Sequence, residues 1–153
     1  MKITDFLSVQ TVIPALAQRE KNAVLEELAG WLVAKHSQLD AQQVLTVLME
    51  REKISTTAIG EGVAIPHGKL PGLERIFGVF ARSTEGVDFN SLDGAPTHLF
   101  FVLIAPEGAA ADHLKALARI SRLLKDDSFR RRLMAAKSSQ ELFTLIAEED
   151  DKF

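Results

Sequence analysis

The first third of the chain shows the spacing of apolar residues that is typical of amphipathic helices. Over residues 21–36 the apolar side chains recur every three or four positions, as at Val24, Leu28 and Leu32. A second helix is predicted over residues 40–51, where an aspartate stands at the N-terminal position that caps helices. Both patterns leave one polar face, so each helix is expected to pack on a neighbouring layer.

The middle of the chain contains apolar runs with the character of strands. Residues 98–105 are almost wholly apolar, which predicts a strand buried on both faces. Shorter strands are predicted at residues 76–81 and 63–65, and near the start at residues 6–7 together with 11–13. A strand buried on both faces needs helices on both sides of its sheet.

The last third returns to helical spacing. Asp112 is expected to cap a helix whose apolar residues fall between positions 114 and 124. A shorter helix is predicted around Phe129, and Ser138 is expected to cap a final one. The order of elements predicts an α/β (α+β) fold, a three-layer sandwich in which helices flank both faces of a mixed β-sheet of about four to five strands.

Length and composition narrow the class of protein. The chain has 153 residues, 46% of them hydrophobic and 25% charged, which suits a single globular domain over residues 1–153. The net charge of −3 argues against nucleic acid as a partner, and the absence of cysteine excludes thiol chemistry and disulfides. No apolar run reaches the length of a membrane span and no signal peptide is evident, so a cytoplasmic location is expected. The acidic residues from about 148 to 153 are expected to form a solvated tail.

The segment around His67 carries the strongest chemical signal. Pro66 before it favours extended backbone, and Gly68 after it allows a close approach by another group. Such a histidine, held at the end of a strand, is available as a nucleophile at neutral pH because its usual pKa is about 6.5. The alternative is an exposed histidine in a simple Pro-His-Gly turn.

Residues around His67 have the chemistry to hold an anion. Hydroxyl groups, flexible glycine backbone and one cation are the donors that phosphate oxygens accept from. Arg51 is the candidate cation, although a basic residue at a helix end also fits a purely structural role. The predicted phosphoryl-binding loop comprises Thr56, Thr57, Gly60, Gly62 and Gly68.

The other three histidines have simpler interpretations. His36 is expected to end a helix, where a basic residue favours the helix dipole, and His98 to begin a strand in a structural role. His113 lies in the first turn of a predicted helix, whose positive end is expected to lower the pKa of the imidazole and keep it neutral. Taken alone, His113 is most simply a solvated or capping residue.

Three segments together resemble a known family. These are Arg51-Glu52-Lys53, the run from Ile59 to Leu70 with Ile-Pro-His-Gly at its centre, and Asp112-His113-Leu114. The pattern resembles the type-2 enzyme IIA domain of the bacterial phosphotransferase system, of the mannitol/fructose-like class and nearest to its nitrogen-regulatory branch. The resemblance covers nearly the whole chain.

This resemblance implies a phosphohistidine carrier. His67 would be phosphorylated at Nε2, His113 would donate to the phosphoryl oxygens and Arg51 would be the nearby cation. The donor would be a histidine phosphocarrier protein of the nitrogen branch. The phosphorylation state would control regulated proteins such as sensor kinases or potassium transporters, and no cofactor or metal is required. The partner would dock over the His67 face, where Val63, Ile65 or Leu70 are expected to contribute apolar contacts.

Three alternatives remain from the sequence. A sugar-specific enzyme IIA shares the chemistry but passes the phosphoryl group to an enzyme IIB for fructose or mannitol uptake. The absence of a fused IIB or membrane domain in this sequence favours the regulatory branch. A plain binding module would need neither Arg51 nor His113. A metal site is disfavoured because His67 and His113 have no third ligand at a recognisable spacing.

Overall fold

The computed structural model describes residues 1–153 and shows a mixed β-sheet with helices on both faces. The predicted three-layer α/β architecture is thereby confirmed. None of the helices has both the length and the apolar character needed to cross a membrane. The strands are β1 (Val12–Ile13), β2 (Ala58–Gly60), β3 (Val63–Ala64), β4 (His67–Leu70), β5 (Phe77–Val87) and β6 (Thr97–Pro106). The helices are α1 (Lys21–Lys35), α2 (Ala41–Ile54), α3 (Ala110–Lys125), α4 (Asp127–Ala135) and α5 (Ser139–Asp150).

Strand β6 is the centre of the sheet. It pairs antiparallel with β5 on one side and parallel with β3 and then β4 on the other, while β1 and β2 lie outside β5 and β3. The sheet has six strands, more than the four to five expected from sequence. Strands β2 and β4 were missed because, at three and four residues, they are too short to show a period in sequence. Strand β4 pairs only with β6, so His67, opposite Leu103, begins a strand at an edge of the sheet.

The two faces of β6 belong to two different cores. Leu99, Phe101 and Leu103 pack with α3, α4 and α5, whereas Phe100 and Val102 pack with α1 and α2. All five side chains are buried, as the unbroken apolar run predicted. Because adjacent paired residues share a face, His67 points toward the α3 side and Gly68 toward the α2 side.

Two local predictions are wrong. Residues 6–7 are not a strand, since they lie between the 3-10 turns Ile3–Asp5 and Val9–Thr11. Their apolar side chains are buried in the α3–α5 core, which explains why the segment resembled a strand. Asp112 is not a cap, because α3 begins earlier, with Ala109 at the N-cap. In the first turn, however, its charge still favours the helix dipole.

The acidic C-terminal run is not simply a solvated tail. Residues 148–150 continue helix α5, and Asp150 is only 1% exposed. Its carboxylate accepts a hydrogen bond from the backbone N–H of Ile3 at 2.7 Å and pairs with Arg119. A buried carboxylate is stable there because it has these two partners, and it joins the two ends of the chain.

Candidate functional site

The structure determines which nitrogen of His67 is available for chemistry. Nδ1 of His67 lies 2.8 Å from the carbonyl oxygen of Ile65. A carbonyl only accepts hydrogen bonds, so Nδ1 carries the proton and Nε2 keeps its lone pair. Pro66 separates the two residues and its restricted backbone helps to form this short contact. The imidazole is half-buried, with Nε2 as the nitrogen free to react.

Arg51 reaches Nε2 of His67 from the opposite layer. It lies in the last turn of α2, and its Nε donates to Nε2 of His67 at 3.4 Å. Its Nη1 donates to the backbone oxygen of Ser55 at 2.9 Å. The contact to His67 is long, so the guanidinium, which lines an open cleft, is able to bind another acceptor.

Gly68 allows this approach through packing. A Cβ at Gly68 would lie 2.9 Å from Cγ2 of Val47 in α2, closer than side chains tolerate. Val47 and Arg51 are four residues apart and share one face of the helix. The missing side chain of Gly68 therefore lets α2 lie directly on β4 and brings Arg51 to His67.

His113 completes the group from α3. The centroids of the His67 and His113 rings are 5.4 Å apart with the planes steeply inclined. His113 is only 5% exposed and its Nε2 has no hydrogen-bond partner. The pKa of His113 is lowered to about 4, mainly by burial and further by His67 and Lys69. The direction agrees with the prediction from sequence, but burial is the main cause, and the ring is neutral at pH 7.

His67 is also held in its neutral form. Burial lowers the pKa of its imidazole, and the nearby charges of Arg51 and Lys69 lower it further. The hydrogen bond to Ile65 and the carboxylate of Glu52 act in the opposite direction but do not reverse the shift. A lowered pKa increases the neutral fraction at physiological pH, and the neutral ring is the nucleophilic form.

A cleft of about 450 Å³ opens above these groups. Lys69, two residues after His67 in β4, projects to the same face and adds a second cation. Leu114 on the rim is 68% exposed. The rim also includes Leu117. The cleft lining comprises Arg51, His67, Gly68, Lys69, Ala110, His113, Leu114 and Leu117.

The three apolar residues that were expected to contact a partner protein are not on the surface. Val63, Ile65 and Leu70 are all buried and offer no surface to a partner. Leu114 and Lys69 are the exposed rim residues that sequence reasoning missed. The two-residue spacing of Lys69 from His67 was a usable signal, since alternate strand residues share a face.

Four residues of the predicted phosphoryl-binding loop do not line the cleft. Thr56 donates through its hydroxyl to the carbonyl oxygen of Phe89, and Thr57 is buried against Glu52. Gly60 and Gly62 form the turn between β2 and β3 with φ of +107° and +76°, which explains why glycine is needed there. The difference from the sequence-based expectation arises because β3 and Pro66 carry the chain away from this turn before His67.

The remaining histidines lie outside the cleft. His36 ends α1, as expected. His98 lies near the start of β6, where its Nδ1 is 2.9 Å from the carbonyl oxygen of Ser83. No group of three or more His, Cys, Asp or Glu side chains is arranged to hold a metal ion. Of the four histidines, only His67 and His113 line the cleft, and these are the two that the sequence pattern combined with Arg51.

Comparison with known proteins matches residues 5–149 to the family described as "Phosphoenolpyruvate-dependent sugar phosphotransferase system, EIIA 2". The chain is 51% identical over 150 residues to the nitrogen regulatory protein of Bradyrhizobium diazoefficiens, covering 96% of this chain and 95% of that protein. It is 39% identical over 150 residues to the fructose-specific EIIABC component of Bacillus subtilis, covering 98% of this chain but 24% of that larger protein.

A solved structure agrees with this comparison. The crystal structure of the nitrogen regulatory protein IIA-Ntr from Neisseria meningitidis matches with a TM-score of 0.88 and 33% identity. The match covers 94% of this chain and 98% of that chain. The family match spans nearly all of the fold described above, including the cleft. The chain therefore belongs to the EIIA type 2 family of the phosphotransferase system, whose members receive a phosphoryl group from a phosphocarrier protein and pass it on.

Proposed function

We propose that this protein carries a phosphoryl group on Nε2 of His67 and uses it for regulation. The observation that carries the proposal is the pair of contacts on the His67 ring. Nδ1 donates to the carbonyl oxygen of Ile65, while Nε2 faces Arg51 in an open cleft. One nitrogen is thus fixed as the proton carrier and the other as the nucleophile.

The transfer exchanges one nitrogen–phosphorus bond for another. The lone pair on Nε2 of His67 attacks phosphorus in the phosphohistidine of a histidine phosphocarrier protein, and the donor's P–N bond breaks with its electron pair returning to the donor ring. The Nδ1 proton of His67 stays on the ring throughout, where the carbonyl of Ile65 stabilises the positive charge that the ring acquires. No metal or nucleotide is needed for this step.

The cleft supplies electrostatic stabilisation to the transferred group. Phosphoryl transfer places most of its charge on three equatorial oxygens, so positioned donors are the main requirement. Arg51 and Lys69 provide positive charge. His113 lines the same cleft, and in its Nε2–H tautomer the otherwise unpartnered Nε2 would donate to one of these oxygens. His113 acts as a neutral donor and needs no second cation beside the attacking ring.

The test is phosphorylation by purified components. The protein is incubated with phosphoenolpyruvate, the first enzyme of the system and its histidine phosphocarrier, and its intact mass is measured. We expect the mass of one phosphoryl group to be added, acid-labile and alkali-stable, and to be lost in His67→Gln. His98→Gln is the matched control, because its Nδ1 also lies against a backbone carbonyl. Full labelling of His67→Gln would contradict the proposal.

We assign a regulatory output, supported by the 51% identity to a nitrogen regulatory protein over almost the full length of both chains. A phosphoryl group adds a charge of about −1.5 to −2. This charge would change which proteins bind the His67 face. Affinity capture with the phosphorylated form and with His67→Gln tests this, since regulation predicts partners that differ between the two.

A sugar-specific role is the second candidate, because the chain is also 39% identical to a fructose-specific component. In that case the phosphoryl group would pass to an enzyme IIB and then to sugar. Loss of the label upon addition of a fructose- or mannitol-specific IIB, with formation of sugar phosphate, would support this role. Retention of the label under the same conditions would favour regulation.

A further inference from the structure

Glu52 is a buried carboxylate that the cleft itself does not use. It follows Arg51 in α2, and its side chain is only 5% exposed. Its Oε1 accepts from the backbone N–H of Thr57 at 3.0 Å and lies 3.1 Å from Nζ of Lys21 in α1, while Oε2 accepts from the Thr57 hydroxyl. A buried carboxylate with this many partners holds its surroundings in one arrangement.

The hydrogen bonds continue from Thr57 to the imidazole. The carbonyl oxygen of Thr57 accepts from the backbone N–H of Ile65 at 3.1 Å. The carbonyl oxygen of Ile65 in turn accepts from Nδ1 of His67 at 2.8 Å. Glu52 is therefore connected through two backbone units to the nitrogen that carries the His67 proton.

A second branch leads from the same segment to the guanidinium. Ser55 lies two residues before Thr57, and its backbone oxygen holds Nη1 of Arg51 at 2.9 Å. Fixing Thr57 on Glu52 thus also fixes the short segment that anchors Arg51. Both branches begin at the carboxylate of Glu52. One ends at the imidazole of His67 and the other at the guanidinium of Arg51, which contacts Nε2 of that imidazole.

We propose that Glu52 and Thr57 are positioning residues for phosphoryl transfer. They keep His67 in its Nδ1–H tautomer and hold the guanidinium of Arg51 beside Nε2. The inference rests on the proposed function at His67 and extends it to residues that do not touch the phosphoryl group. The simpler alternative is that Glu52 only attaches the segment after α2 to the body of the protein. That alternative predicts lower stability without any change in the tautomer of His67 or in the phosphotransfer rate of the folded protein.

The test compares Glu52→Gln and Thr57→Val with the wild-type chain. We expect phosphotransfer at saturating donor to fall about tenfold, since small displacements of reacting groups are costly. KM for the phosphocarrier should not change, because the cleft rim is untouched. Thr57→Ser retains the hydroxyl and should restore the rate. Glu50→Gln, at an exposed position of the same helix, is the matched control and should behave as wild type.

A spectroscopic measurement separates positioning from stability. In ¹⁵N-detected NMR spectra, Glu52→Gln should reduce the fraction of His67 in the Nδ1–H tautomer. The pKa of His67 should also fall, but the lost carboxylate charge alone accounts for that, so the tautomer is the deciding signal. Thr57→Val should reduce the fraction of His67 in the Nδ1–H tautomer. These signals are read on folded protein, so a lower yield of either variant does not obscure them.

The outcomes are distinct. A wild-type rate and an unchanged His67 tautomer in both variants would overturn the inference while leaving the proposed function intact. If Glu52→Gln does not fold, the Thr57→Val and Thr57→Ser pair decides the matter. Failure of the wild-type chain to be phosphorylated on His67 would instead remove the proposed function, and this inference with it.

Discussion

Arg51 and Arg82 occupy two regions of the molecule and show two uses of the same side chain. Arg82 in β5 is buried, and its donors go to the backbone oxygens of Pro14, Leu133 and Ala136 at 2.6–2.9 Å. Arg51 has one comparable bond, to Ser55, and a 3.4 Å contact to His67. It is half-buried at an open cleft.

The difference shows where binding capacity remains after folding. Arg82 donates to backbone oxygens at the C-terminal end of α4, where a helix has few backbone donors of its own. Its hydrogen-bonding capacity serves the fold. In the cleft, Arg51 keeps donor capacity and His113 has a buried nitrogen without a partner. A buried polar atom without a partner needs an explanation, and for His113 the adjoining cleft provides one.

The largest expected effect follows from removing the Arg51 cation. Arg51→Gln should lower the rate of phosphotransfer to His67 about 10²–10³-fold, the usual loss for one donor to a developing charge. The unfolding free energy should change by less than about 0.5 kcal/mol, because the side chain is not part of a core. Rapid-quench phosphorylation and urea unfolding measure the two quantities. A large loss of stability would mean that Arg51, like Arg82, mainly stabilises the fold.

The opposite outcome is expected at Arg82. Arg82→Met leaves three backbone oxygens without their donor, so the unfolding free energy should fall by about 3 kcal/mol. Urea denaturation measures this directly. The phosphotransfer rate of the folded variant should stay near the wild-type value. A fall as large as that of Arg51→Gln would contradict the division between the two regions.

The unsatisfied cleft should also make stability depend on pH. The pKa of His113 is about 4 in the folded protein and about 6.5 when unfolded, so between these values only the unfolded chain binds the proton. Stability should therefore decline as pH falls from 6.5 to 4, by up to about 3 kcal/mol from this residue. His113→Gln should flatten that decline in urea unfolding across this range. An identical decline in both proteins would show that protonation of His113 is not the cause of the loss of stability.

The smallest effect is expected on the cleft rim. Leu114→Asp should raise KM for the phosphocarrier about tenfold, because it removes exposed apolar contact area from a transient interface. The rate at saturating donor should be unchanged. Leu92→Asp is the matched control, since Leu92 is 76% exposed but does not line the cleft. Equal effects of the two substitutions would place the docking surface elsewhere.

Much of the fold follows from patterns within single segments. The apolar run of β6 predicted burial on both faces, and helical spacing predicted all five helices, because burial is periodic in the geometry of each element. Strands β2 and β4 escaped prediction because both are short, and the pairing of β4 with distant residues, as of His67 with Leu103, has no local signal. The same reason explains why Asp150 was expected in solvent, although it binds the backbone of Ile3.

The sequence by itself determined which residue types are present near His67, and the family resemblance suggested a shared role for His67, Arg51 and His113. The tertiary structure decided which groups surround His67. It shows Nδ1 against the carbonyl oxygen of Ile65, which leaves the lone pair on Nε2, the atom that the resemblance implied. It also removed Gly60 and Gly62 from the cleft and brought in Lys69. Distances between segments depend on how helices pack on the sheet, and that packing is set by the whole core rather than by any one stretch of chain.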